Sequence, residues 1–203
     1  MNSQSHNKKL KVYLPERRFL LPYLQRELPD YDISIVDTPA QCRAAIVEPQ
    51  TDTDNFGADT VVLRCPNIVG TGMTGLPMMI ARRIANGSFY HLGQNDARLS
   101  TIHASDVAVA LAMAIDSPGI YTVTDCNDPT FHDLAEALAH RLNGKRILTL
   151  NSRWINWIIS PALKKTITRT QIYDGTEFCR KFNFSPHPVV DYLRTHIYDD
   201  ESL

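Results

Sequence analysis

Apolar and polar residues alternate from Leu10 to Leu14, a period of two that predicts a strand. The spacing then lengthens: Phe19, Leu20, Tyr23, Leu24 and Leu28 recur at helical intervals, so Glu16 to Leu28 is predicted as a helix that Pro29 closes. Asp32 to Val36 and Ala44 to Val47 are two further strands, separated by a turn that starts at Pro39. Glu48 to Asp59 is polar and without period, a surface loop, and Thr60 to Arg64 reads as a buried strand directly behind it.

Beyond Arg64 the punctuation is clear. Thr74 and Gly75 precede a helix with Pro77 in its first turn, and Gly87 supplies a left-handed cap past its end. Ser105 and Asp106 open an Ala- and Val-rich helix to about Ile115, with Asp106 as its predicted cap, and Gly119 to Thr124 is another strand. Thr130 caps a helix whose Phe131, Leu134, Leu138 and Leu142 form one stripe, ended by Asn143 and Gly144. Ile147 to Leu150, the apolar segment around Trp154 and Trp157, and a helix from Pro188 complete the chain. Strands alternating with helices predict an α/β sandwich around a largely parallel sheet.

The 203 residues suffice for a substantial core, and a formal charge of −1 gives no electrostatic reason to expect nucleic acid or an anionic membrane as partner. Cys42, Cys65, Cys126 and Cys179 are far apart in sequence, with no Cys-x-x-Cys pair and no His at ligand spacing. They predict reduced, mostly buried thiols, no metal site and a cytoplasmic protein. Residues 1–9 are polar and predicted to be a flexible lead-in, with 10–203 as one unit. The Trp154/Trp157 segment, followed by Lys164 and Lys165, reads as core or subunit contact in preference to a membrane-surface helix.

One stretch carries a family resemblance. Leu63-Arg64-Cys65-Pro66-Asn67-Ile68-Val69-Gly70-Thr71-Gly72 resembles the Leu-Arg-Pro strand and Gly-x-Gly loop of extended short-chain dehydrogenases, the NAD-dependent epimerase/dehydratase family of nucleotide-sugar metabolism. Cys65 stands between the Arg and Pro positions of the tightest form. Arg98, His103, Asp106 and Ala108 are similar to the family's Arg-x-x-x-x-His-x-x-Asp-x-Ala run. Gly119 to Asp125 resembles its next strand, and Phe182 to Pro186 its C-terminal docking segment. The resemblance implies a truncated Rossmann-like three-layer sandwich with a mostly parallel sheet, 145–203 supplying a small C-terminal substrate lobe.

The N-terminal third departs from that pattern. Where the family has a Gly-rich turn, whose backbone N–H groups approach a pyrophosphate closely, this chain has Pro15, Glu16, Arg17 and Arg18. Arg17 is the candidate anion-binding residue there, against the commoner alternative of a solvated helix start. Asp37 occupies the place of the acid that holds an adenosine ribose, or caps the turn at Pro39. The family's proton-transfer Tyr, its Lys four positions on and a Ser or Thr are carried by a strand and helix for which the interval from Val47 to Thr60 has no room. None of the eight Tyr residues has Lys at that spacing; Tyr13 has Arg17, a poor substitute because of its high pKa and forked geometry.

On the substrate side the resemblance implies that Asn67 and Arg98 hold the diphosphate and sugar, with His103 a weaker candidate. The bland alternatives are an Arg98–Asp96 surface pair and a hydrogen-bonded structural His103; His187 is a turn residue. No catalytic residue is assigned. The chain is expected to be a catalytically degenerate homologue that binds a nucleotide or nucleotide-sugar weakly, with no cofactor, or NAD(P) if the family function is retained. The alternative is a non-catalytic subunit that self-associates or pairs with a full-length relative through a sheet face left uncovered.

Overall fold

Four parallel ladders build the central sheet of the computed structural model, which describes residues 7–92, 97–142, 147–150 and 168–195. Strands β1 (Lys8–Tyr13), β2 (Tyr31–Val36), β3 (Ala44–Val47), β4 (Val61–Arg64) and β8 (Gly119–Thr122) lie in the order β2-β1-β3-β4-β8. β1 therefore begins at Lys8, inside the lead-in predicted to be flexible. The chain runs outward from β1 to β2, crosses back, and continues on the other side through β3, so the strand order reverses between β1 and β3. In open α/β sheets, the crevice beyond the carboxyl ends at such a reversal is where ligands bind.

Alternation along each strand sends one set of side chains to each face. Leu10, Val12, Ala44, Ile46, Val61 and Leu63 meet α1 (Leu21–Glu27) and α3 (Ala104–Ala114) in the main core. A 3-10 turn over Arg18–Leu20 precedes α1, so the predicted helix from Glu16 starts later; Glu16 itself has a left-handed φ of 57°. On the opposite face Ala45, Val47 and Val62 are buried under the 48–60 loop, where Phe56 meets Tyr13 edge-on at 6.0 Å. Here the covering layer is a loop in place of helices. β3 and β4 are direct neighbours, in register from Ala44↔Val61 to Val47↔Arg64, joined by that loop alone. Arg43 and Arg64 fasten it, donating to the carbonyls of Asp59 and Thr51 at 2.6 and 3.2 Å. The expected bare apolar face is thus covered at its centre, and its β1/β2 flank presents exposed Lys9, Lys11, Asp32 and Ser34.

The distal part packs as a second core. α2 (Gly75–Ala85), α4 (Phe131–Arg141) and α6 (Val189–Thr195) enclose Ile80, Phe131, Leu134, Leu138 and Leu193. Two short parallel pairs flank it: β5 (Asn67–Val69) with β7 (Thr101–His103), and β6 (Tyr90–Leu92) with β9 (Leu148–Leu150). A helix not read from the sequence, α5 (Thr176–Phe182), places Phe178 in the main core against Tyr121. The segment after it is pinned by two buried carboxylates. Asp106 accepts from the His187 N–H at 2.9 Å and meets the His187 ring at 3.0 Å, while Asp125 accepts from Val189 N–H at 2.9 Å and Thr101 Oγ1 at 2.8 Å. Asp106 is therefore an anchor and not the cap of α3, and His187 is one of its partners. Burial pushes the Asp125 carboxyl up.

The helix stop at Asn143 and Gly144, the Asp96 alternative for Arg98 and the Trp154/Trp157 segment fall outside the described residues. Among those described, no helix is long and apolar enough to cross a membrane.

The start of α4 yields a direct test. Thr130 Oγ1 accepts from Asp133 N–H at 3.0 Å and Asp133 accepts in return from Thr130 N–H at 3.1 Å, a reciprocal cap. The hydrogen bond from the Thr130 side chain holds the Asp133 carboxyl below its ordinary value of 3.8. The stabilisation it gives is therefore present above that value and lost as pH falls through the lower folded-state pKa. Asp133→Asn should cost about 1 kcal/mol at neutral pH, and in urea titrations the gap from the parent should close in acid. A gap unchanged by pH would contradict the cap.

Candidate functional site

Tyr13 ends β1 at the reversal point, and the turn that follows it carries no glycine. Glu16 takes the left-handed conformation and the chain folds Arg17 inward. The Arg17 side chain lies across the carboxyl end of β3: Nη1 donates to the Val47 carbonyl at 3.2 Å, and Nη2 is hydrogen-bonded to the Glu48 carboxylate. Arg17 is only 5% exposed, so it is not a solvated helix start. Its charge is held by Glu48, whose side chain is 58% exposed. The crevice between β1 and β3 is thus occupied by an ion pair of the chain itself.

A cavity of about 300 Å³ remains beside this pair, between the β1–α1 turn, the start of the 48–60 loop, Asn67 and the first turn of α2. Phe19 forms one wall and packs on Gly72, whose φ of +74° favours glycine and whose Cβ position lies in tight contact with Phe19 at 3.1 Å. Thr74 Oγ1 donates to the Glu16 carbonyl at 3.3 Å, tying the turn to the distal part. Tyr23 lies deeper, its hydroxyl accepting from Thr71 N–H at 2.9 Å. Cys65, behind the ion pair, is fully buried and its thiol is pushed up to about 12, so it stays protonated and is no nucleophile.

The candidate residues are dispersed. Asn67 lines the cavity, with Nδ2 donating to the Ser100 carbonyl at 3.0 Å. Arg98 is exposed at a bridge to Thr130 and does not line the cavity. His103 is 3% exposed; its Nδ1 accepts from Ser105 N–H at 3.2 Å, making it the cap of α3, and its ring lies 3.8 Å from that of Tyr192. Asp37 is on the surface, paired with Arg18 at 3.1 Å. A hydroxyl–amine pair that the four-residue spacing could not reveal joins Tyr121 and Lys181 at 2.8 Å. It lies at the wrong end of the sheet: Tyr121 Oη turns back to donate to the Ser117 carbonyl before β8, away from the crevice. Among the described residues no three His, Cys, Asp or Glu side chains are grouped to hold a metal ion.

A pyrophosphate held at a turn of this kind needs converging backbone N–H groups and close approach; here the Arg17 side chain lies across the turn, matched in charge by Glu48, with Glu16 adding a second carboxylate to the cavity wall.

No protein-family model matches the sequence, and no curated protein does. Solved structures do share the fold. Human epimerase family protein SDR39U1 (isoform 2), determined with NADPH, aligns at a TM-score of 0.62 and 11% identity over 94% of this chain and 99% of that one. UDP-N-acetylglucosamine 4-epimerase from Bacillus cereus aligns at 0.57 and 10% identity over 93% and 99%. The Bordetella bronchiseptica enzyme WbmF, in complex with NAD+ and UDP, aligns at 0.58 and 13% identity over 97% and 93%. At these identities the likeness is one of fold, and the α/β, Rossmann-like, mostly parallel architecture is the one these proteins have.

The ion pair is testable by itself. Arg17→Ala strands the Val47 carbonyl and should lower unfolding free energy by about 1–3 kcal/mol; Glu48→Gln leaves the guanidinium its carbonyl partner and should cost roughly 1 kcal/mol. Chemical denaturation reads both. An Arg17→Ala variant as stable as the parent would show that the pair does not hold the crevice shut.

Proposed function

We propose that this chain is a shortened epimerase/dehydratase homologue that has given up hydride transfer and retains weak binding of a nucleotide or nucleotide-sugar in the cavity beside Asn67. The observation that carries this is the Arg17–Glu48 pair seated at the switch point, where a dinucleotide-binding fold keeps a glycine turn. The direct β3–β4 ladder supports it, because it takes up the position of the strand that leads to the family's Tyr/Lys helix. The cavity suits the nucleoside or sugar end of such a ligand, with the diphosphate left toward solvent: Tyr13, Thr51, Asn67 and the first turn of α2 line about 300 Å³, the lower end of ligand-pocket sizes, beside the carboxylates of Glu16 and Glu48. Neighbours of the same fold were determined with NADPH, or with NAD+ and UDP. In this chain Asn67 lines the cavity proposed for such a ligand, Arg98 and Asp37 serve it only if the ligand extends past the cavity, and His103 is buried away from it.

The alternative, a non-catalytic subunit that self-associates or pairs with a full-length relative, draws on the loss of helices from the second sheet face. Among the described residues that face is capped by Phe56 and flanked by lysines and an aspartate, with no large apolar patch for a partner.

Calorimetric titration with UDP, a UDP-sugar, NAD and NADP separates these readings. UDP or its sugar should bind at about 0.1–1 mM, Leu76→Trp, which fills the cavity, should weaken it at least roughly tenfold, and the dinucleotides should give no turnover. Stoichiometric NAD(P) binding with hydride transfer would overturn the proposal, and absence of all nucleotide binding would favour the alternative.

A further inference from the structure

Two of the four cysteines, 53 positions apart in sequence, are brought together by the fold, and no feature of the nucleotide cavity uses them. Cys126 Sγ and Cys179 Sγ are 3.7 Å apart, in van der Waals contact, with Cys126 exposed and Cys179 half-buried. The local backbone is built for this approach. After β8 the chain turns sharply: Cys126 has a left-handed φ of 55°, and its N–H donates to Thr124 Oγ1 at 3.2 Å, so that its side chain is turned toward α5. On the other side Gly175 begins α5. A Cβ there would lie 2.6 Å from Thr124 Oγ1, 2.9 Å from Thr124 N and 3.4 Å from Cys126 Sγ, so only glycine lets the helix start this close to the turn. The other two thiols, Cys42 and Cys65, are buried elsewhere.

We propose that Cys126 and Cys179 form a reversible oxidation site, a dithiol that a low-molecular-weight disulfide converts into an intrachain disulfide. The exposed Cys126 thiolate attacks one sulfur of the small disulfide, forming a mixed disulfide and releasing one thiolate. Cys179 then attacks the Cys126 sulfur, the protein disulfide forms, and the second small thiol leaves. Two electrons pass from the protein dithiol to the small disulfide, and the two protein thiol protons end on the two released thiols. Cys179 is the slower, resolving partner: burial and the neighbouring Cys126 thiol push its pKa up to about 11. Closure links the turn bearing Asp125, which holds Val189, to α5, which bears Phe178, and so fastens the C-terminal segment to the sheet.

The test uses the full chain, folded, in oxidised and reduced glutathione, with intact mass, peptide mapping and thermal unfolding as readouts. The expected product has lost two hydrogens, maps to a Cys126–Cys179 link, reverts with excess dithiothreitol, and melts roughly 5–10 °C higher than the reduced protein. Cys179→Ser should instead accumulate a glutathione adduct on Cys126, and Cys126→Ser should give neither product nor shift in melting. A folded parent that keeps four free thiols, or that yields only a Cys126 adduct or an intermolecular dimer, would overturn the proposal.

Discussion

The ladder between Ala44–Val47 and Val61–Arg64 is the constraint on which the rest depends. A strand has two hydrogen-bonding edges, and those of β3 are taken by β1 and β4. With both edges paired no further strand enters there, nor any helix that such a strand would carry. The loop joining the two then covers Ala45, Val47 and Val62, with its Phe56 packed on them beside Tyr13 and Val36. The same pairing fixes Glu48, the first residue after β3, at the reversal point within reach of Arg17. The order of the sheet, the covering of its second face and the filling of its crevice are three consequences of one pairing.

A second set of interactions decides where the distal part sits. Asp106 and Asp125 are buried carboxylates, a placement that costs heavily unless each oxygen is hydrogen-bonded. Both receive backbone N–H groups from residues 187–189, and Asp125 receives two further hydrogen bonds, from Thr101 and Asn127. The prolines on either side of His187 hold that stretch extended, so that its N–H groups are presented inward and not spent within a helix. His103 closes the arrangement from the α3 side, capping the helix with Nδ1 and lying against Tyr192.

Much of this was legible in residue order. The alternation in β1, the bounds of β3 and the Thr130 cap follow from local rules, because a period or a cap is decided within a few residues. The errors share one cause. Arg17 reads as solvated because it is a cation at a helix start, and nothing nearby announces that the Val47 carbonyl, 30 positions on, will lie against it. Asp106 has the composition of a cap, yet the helix begins a residue earlier than its predicted opening and His103 takes that role. The Tyr121–Lys181 and Cys126–Cys179 contacts are likewise long-range, and α5 is seven residues, too short to show a period. Of the candidate site, Asn67 was found at the cavity through the resemblance, whereas the residue that shapes the crevice most, Glu48, sat in a loop with no pattern to single it out.

The main core contains Leu10 and Val12 near one end of the chain and Phe178 and Phe184 near the other. During synthesis the sheet is therefore made long before its last packing residues exist. Until Phe184 has cleared the ribosome, the helix side of β8 remains unsealed, and Tyr121 lacks the aromatic neighbours it has in the finished molecule. The last packing of this core therefore follows the synthesis of every strand of the central sheet.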